Sequence, residues 1–342
     1  PMSNLNFNSK RILSDFKIFF KDLHYDFKFL KLYSKDILIL GPWLGEVGPE
    51  LQYWIPYLNF FNKSGLFVGK KIIIISRGGN KSWYSHISTN YHNLFTEISI
   101  EEYKKIKYSH KGEKQLKYTD LEYKLILKIK EKYRYKNVGL IHPMYMWNFV
   151  NKWFNNRIIL KSLLSKFSLI KFNSRENEIK KNVDSLKLPK NFIAIKFYSS
   201  YLFPEKNFKN FNLNKELNNL KKKGISIVDL NFNAKIDDHD NLSYSNKDMI
   251  NLNGKIDFNR NLDIQTEIIS RSKFYMGTYG GFTILPAFVN KPSLALYNSK
   301  LRDFENMYFK HEAVTNKIYE FFDLNYLACD HKNLSFFNKS FK

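Results

Sequence analysis

The chain has 342 residues, length for about two domains, and its 44% hydrophobic and 17% aromatic content excludes a disordered polymer. Basic residues outnumber acidic ones 55 to 32, a formal charge of +23. That field draws polyanions without choosing among nucleic acid, anionic lipid and phosphorylated substrates, while the single cysteine, Cys329, excludes a disulfide framework and a cysteine zinc site and points to a reducing compartment.

Apolar residues at Ile12, Phe16, Phe20, Leu23, Phe27 and Leu30 fall three and four apart, with Lys and Asp between them. The spacing predicts an amphipathic basic helix over 11–33. Two readings stand for it: a helix lying on an anionic membrane surface, or one docked on the protein body. No apolar run approaches the ~20 residues that span a bilayer. Pro1-Met2-Ser3-Asn4 leads into no signal-peptide pattern. The expectation is a cytoplasmic protein, peripheral on the inner face of the membrane if the first of these readings holds.

A β/α order follows. Asp36–Gly41 reads as a buried strand and turn, Glu50–Phe61 as a helix, and Lys71–Ser76 as a second buried strand. Tyr118–Tyr133 reads as a helix and Gly139–Pro143 as a short strand. After a polar stretch the order restarts. Strands are expected at Asn191–Tyr198, Ile225–Leu230, Met249–Leu252 and Phe274–Gly277, with a last one at Ser293–Tyr297. Helices are expected at Leu213–Lys223, Ile264–Arg271 and Phe282–Val289. Two such runs predict an α/β chain with two parallel sheets. The divisions are 1–34 for the basic helix, 35–185 for the first domain and 186–342 for the second.

Glycine-rich turns after strands carry the candidate chemistry. Met276-Gly277-Thr278-Tyr279-Gly280-Gly281-Phe282-Thr283 lies between a strand and a helix. Adjacent glycines let backbone approach a bulky anion, amides at a helix start favour phosphate, and Thr278 and Thr283 offer hydroxyls. A tight turn without a ligand is the alternative. Gly41-Pro42-Trp43-Leu44-Gly45-Glu46-Val47-Gly48-Pro49-Glu50 holds the matching place in the first domain. Glu46 or Glu50 is the candidate general base, and Trp43 beside Gly45 the candidate platform for a sugar ring. Glu50 reads equally as a first-turn acid complementing the helix dipole. In Ser76-Arg77-Gly78-Gly79-Asn80, Arg77 is either an anion clamp or a solvated loop residue. In Lys196-Phe197-Tyr198-Ser199, Lys196 either snorkels or faces the cleft. The eight histidines show no metal-ligand spacing. Asp237-Asp238-His239-Asp240 reads as a solvated loop.

The segment Ser272–Gly281, with Ala287, Lys291-Pro292 and the apolar strand that follows, resembles the donor-binding segment of GT-B glycosyltransferases, including the heptosyltransferase-like group of surface-polysaccharide enzymes. The turn near Glu46 is similar in placement to their loop carrying the acidic base, with Glu where they have Asp. The resemblance covers about 60 residues in two blocks. It implies two Rossmann-like domains facing across a cleft, and a metal-independent transfer from a nucleotide-sugar to a glycan or lipid-linked acceptor. Lys196, Tyr198, Ser199, Thr278, Tyr279, Gly280, Gly281 and Thr283 would then hold the donor. Trp43, Gly45 and Arg77 would hold the acceptor. No cofactor beyond the nucleotide-sugar, no metal and no nucleic acid is implied. The rival readings are a nucleic-acid-binding protein, supported by the charge, and an inactive assembly scaffold.

Overall fold

Near-continuous apolar runs form the strands, as parallel strands covered on both faces require. The computed structural model describes residues 31–110, 114–173, 177–204, 213–231, 242, 249–252, 255–298 and 306–330. The helix expected over 11–33 lies outside them except at its last residues, and so does the 237–240 cluster. Among the described residues, β1 (Ile37–Leu40), β2 (Lys71–Ser76), β3 (Tyr91–Asn93) and β4 (Val138–Ile141) form one sheet in the order β3-β2-β1-β4. A second contains β5 (Phe192–Lys196), β6 (Ser226–Asp229), β7 (Ile250–Asn251), β8 (Tyr275–Thr278), β9 (Ser293–Tyr297) and β10 (Tyr326–Asp330), ordered β10-β9-β8-β5-β6-β7. Every pairing is parallel.

Counted from its own first strand, the second sheet has the Rossmann order 3-2-1-4-5-6. The first has its truncated form, 3-2-1-4. Ligands of such sheets sit beyond the carboxyl ends, where the strand order reverses. Those points lie between β1 and β4 and between β5 and β8. The two separate sheets are the GT-B arrangement that the sequence leads one to expect.

Four details differ from expectation. β3 is not among the expected strands, and it pairs with β2 in register, Tyr91 opposite Ile74. Ser293–Tyr297 is not the last strand, because β10 pairs with it in register, Tyr326 opposite Ser293. The expected helix at 282–289 is a 3₁₀ turn, Gly281–Thr283, followed by a four-residue helix, Leu285–Phe288. The amides of Thr283 and Ile284 bond three residues back, to Gly280 and Gly281, and Pro286 has no amide to extend the ladder. The helix expected from Glu50 opens as a π-helix, Glu50–Trp54, before the α-helix Ile55–Lys63. Helix Tyr118–Tyr133 forms as Asp120–Lys132, started by a capping box between Thr119 and Glu122.

The domains are joined firmly. One apolar cluster includes Leu38, Leu40 and Trp54 from the first and Ala194, Val228 and Phe288 from the second. Trp83, Phe172 and Phe288 stack in sequence, with centroids 5.8 and 4.8 Å apart. Asp263 accepts from the Ser82 amide at 2.9 Å, and Thr266 from the Trp83 indole at 2.8 Å. Helix Asn177–Ser185 lies with the second domain, through Arg260–Glu178 and Arg271–Asp184 ion pairs. Helix Asn306–Phe321 reaches back to the first, where the Lys310 ammonium donates to the Trp153 and Phe154 carbonyls at 2.9 and 2.8 Å. The last carbonyls of helix Pro143–Phe154 are capped in this way.

Between the two switch points, backbone touches backbone. A methyl group on Gly281 would lie 2.8 Å from the Cα of Gly48 and closer still to its amide nitrogen. Gly281→Val is therefore expected to lower the unfolding free energy by about 1–3 kcal/mol through overpacking, read from denaturant melts. A variant as stable as the parent would show that the domains are not seated on each other in solution.

Candidate functional site

The carboxyl ends of both sheets open on a cavity of about 270 Å³. Glu46, Gly48, Pro49 and Gln52 enter it from the first domain. From the second come Tyr198, Ser200–Leu202, Tyr279, Gly280, Gly281, Thr283 and Ile284 of the turn, Tyr326, and Tyr308, His311 and Thr315 of the bridging helix.

Glu46 is exposed and stands just outside the short helix Val47–Pro49, where its side chain caps nothing. Its loop is held from behind. Gln115 receives the Leu44 amide at 3.0 Å and donates to the Pro42 carbonyl at 2.9 Å, while Tyr103 donates to the Leu44 carbonyl at 2.9 Å. Gln115 itself leans on the buried carboxylate of Glu122 at 2.9 Å. His142 Nε2 lies 2.9 Å from the same oxygen, and His110 Nε2 3.2 Å from the other. Because His142 Nδ1 accepts the Met144 amide at 3.1 Å, its hydrogen is on Nε2 and points at Glu122. Burial alone would raise the Glu122 pKa; the contacts from His110 and His142 outweigh it and hold the carboxyl well below the usual range.

Glu50 is a correction. It is fully buried, and its Oε1 accepts from Ser76 at 2.6 Å, Asn80 at 2.9 Å and Tyr84 at 2.5 Å. It ties the π-helix to the end of β2 and cannot meet an acceptor. Burial pushes its pKa up to about 7, against the Ser76 and Tyr84 hydrogen bonds and the charge of Arg77. Arg77 is corrected with it: it is buried within the charge field of Glu50, and its loop docks on the second domain, with the Gly79 carbonyl accepting from Asp263. Trp43 offers no platform either. It is fully buried between Trp54 and Trp147, at centroid distances of 5.9 and 6.3 Å. Gly45 packs on its edge, where a methyl group would meet the ring at 2.7 Å.

On the second domain, Tyr198, Tyr279, Gly280, Gly281 and Thr283 line the cavity, whereas Lys196, Ser199 and Thr278 do not. The Thr278 hydroxyl is committed: it accepts from the Tyr198 amide at 3.0 Å and donates to the Tyr198 carbonyl at 2.9 Å, clamping β5 to β8 at the switch point. Thr283 donates to the Gly280 carbonyl at 2.7 Å. The Tyr198 hydroxyl abuts Gly280 where a side chain would stand. The Lys196 ammonium rests on the face of Phe282, 3.7 Å from its centroid, just behind the glycine pair. A four-residue helix follows the turn, so no long helix dipole reinforces it.

Reading the sequence missed Gln52, His311, Thr315, Tyr201 and Tyr308. The π-helix turns Gln52 toward the cavity while Glu50 faces the sheet, and a helix near the end of the chain supplies His311. Neither carries a local motif. The Lys114 ammonium, over the Trp147 and Phe154 rings at 4.5 and 4.2 Å, is brought down to about 8 by burial, with Glu46 opposing the shift.

No protein-family model matches the chain, and no curated protein does. Among solved structures the chain is similar to Escherichia coli ADP-heptose LPS heptosyltransferase II, at 14% identity over 77% of this chain and 85% of that one, TM-score 0.43. It is similar to the family 9 glycosyl transferase of Veillonella parvula, at 13% identity over 89% and 88%, TM-score 0.43. The UDP-GlcNAc 2-epimerase of Methanocaldococcus jannaschii gives 11% identity over 86% and 88%, TM-score 0.38. The likeness is one of fold, and a fold does not carry a reaction with it.

The buried Glu50 has a pH signature. Its folded-state pKa of about 7 exceeds the ordinary 4.5, so the folded chain keeps a proton that the unfolded chain releases. Its contribution is full below pH 4.5 and is lost as pH rises through 7. Relative to Glu50→Gln, the wild type should lose up to about 3 kcal/mol of unfolding free energy across that window. Paired denaturant titrations from pH 4 to 8 measure it; parallel curves would mean that Glu50 is ionised in its buried site.

Proposed function

We propose that this chain is a glycosyltransferase, moving a sugar from a nucleotide-activated donor to a glycan or lipid-linked acceptor in surface polysaccharide synthesis. The observation that carries the reading is the meeting of the two switch points on one cavity. An exposed carboxylate, Glu46, stands on the first side and a glycine pair, Gly280–Gly281, on the second.

The donor diphosphate lies along Tyr279–Thr283, where Gly280 and Gly281 present backbone without side chains. Lys196, behind Phe282, adds positive potential from under the turn. Preorganised dipoles and charge of this kind stabilise the leaving group without a metal. Glu46 takes the proton from the acceptor hydroxyl. The hydroxyl oxygen forms the new bond to the anomeric carbon, and the bond to the diphosphate oxygen breaks with its electron pair leaving on the nucleoside diphosphate. The charge of +23 suits an anionic donor, and an acceptor carried on a lipid diphosphate at an anionic membrane surface. Glu46 on the cavity wall speaks against an inactive scaffold.

Calorimetric titration with ADP, UDP, GDP, CDP and dTDP tests the reading. One of them should bind, and binding by none of the five would refute it. With the matching nucleotide-sugar and acceptor, Glu46→Gln should cut turnover by about 10²–10⁴ with nucleotide affinity retained. Full turnover in that variant would move the base elsewhere.

A further inference from the structure

We propose that Nε2 of His311 is a hydroxyl-binding group of the cavity, held as a bare acceptor by Gln52 and Tyr53 so as to orient the acceptor sugar. This rests on the glycosyl-transfer reading and extends it to a part of the chain that no local motif marks.

The protonation state follows from the neighbours. Gln52 Nε2 lies 2.9 Å from the His311 carbonyl oxygen and 2.6 Å from the Thr315 hydroxyl oxygen. A carbonyl only accepts, so the amide nitrogen must face it. That orientation leaves the Gln52 carbonyl oxygen toward His311 Nδ1, at 3.1 Å. Two acceptors cannot bond each other, so Nδ1 carries the hydrogen. The Tyr53 hydroxyl oxygen, 2.9 Å from Nδ1, shares it. A neutral imidazole has one hydrogen, which leaves Nε2 with its lone pair.

The ring is fixed as well as the tautomer. It packs on Tyr53 at 5.6 Å and Phe154 at 5.0 Å between centroids, and His311 lines the cavity with Gln52, Thr315 and Glu46. Burial, and behind it the charge of Lys114, lowers its pKa to about 3. Such an imidazole is neutral throughout the physiological range. It is also too weak a base to carry off a hydroxyl proton efficiently. It accepts a hydrogen bond, which leaves proton removal to Glu46. A ligand that donates hydrogen bonds from hydroxyls and lays a ring face on the tyrosines of the same wall, Tyr201, Tyr279 and Tyr308, is a carbohydrate.

Long-range proton–nitrogen NMR on histidine-labelled protein at pH 7 reads the tautomer directly, with His311 assigned by its absence from His311→Gln. Nδ1 should be protonated and Nε2 bare; a protonated Nε2 overturns the proposal. The methyl glycosides of glucose, galactose, mannose and N-acetylglucosamine are then titrated singly. At least one should move the Nε2 resonance. Its affinity should fall about tenfold in His311→Phe, the loss of one hydrogen bond, and return in part in His311→Gln, which restores an oxygen acceptor. An Nε2 signal that no glycoside moves, or a His311→Phe variant that binds as the wild type does, also overturns it. A glycoside at Nε2 with no nucleoside diphosphate bound anywhere would keep this assignment and remove the transferase reading. The reverse pattern would keep transfer and remove His311.

Discussion

The molecule depends on a contact that has no side chains in it. Gly48 and Gly281 press together where the two domains meet, and each lies just beyond the carboxyl end of its own sheet. Any Cβ at this point would push the switch points apart. Because none is present, the Glu46 loop and the 280–283 turn share one cavity wall to wall. The apolar cluster that runs through both domains and the Ser82–Asp263 hydrogen bond then keep the seat in place.

Behind each face of the cavity lies a buried polar network with one job, the placing of backbone. On the first side the ionised Glu122 is fed by His110, His142 and Gln115. Gln115 passes the restraint to residues 42–44, so Glu46 stands at the end of a short stiff chain of hydrogen bonds. On the second side the Thr278 hydroxyl locks β5 to β8. A buried charge costs several kcal/mol unless it is matched by partners. Glu122 is matched, and it ionises. Glu50 is fully buried, and the hydroxyl and amide donors on one oxygen with the charge of Arg77 do not offset the lost solvation, so its proton stays on at higher pH. Two carboxylates in one domain thus differ in charge because their neighbours differ.

The bridging helix Asn306–Phe321 gives the cavity its third wall. It is pinned at Lys310 to the end of helix Pro143–Phe154 and at His311 and Thr315 to Gln52. Residues far apart in the chain, 46 and 52 on one hand and 308–315 on the other, become one surface through these few bonds.

The amino-acid sequence by itself determined the strands other than β3 and β10, the division into two β/α runs and the glycine turns at the strand ends. All of these are written locally, in apolar runs and in residues that allow a sharp turn. The candidates Glu46, Gly280 and Gly281 were legible for that reason, since a residue just after a parallel strand is placed at the binding edge by the fold itself. What faces inward was not legible. Trp43, Glu50, Arg77 and Thr278 sit in the same kind of segment as the cavity residues. Only the packing of Trp54 and Trp147, the π-helix at Glu50, and the pairing of β5 with β8 decide that they point into the core. His311 is the opposite case, one of eight histidines with no motif around it, brought to the cavity by a helix that crosses back to the first domain. Direction and long-range contact are properties of the packed chain, because a turn records where the backbone bends and not which neighbour arrives to cover it.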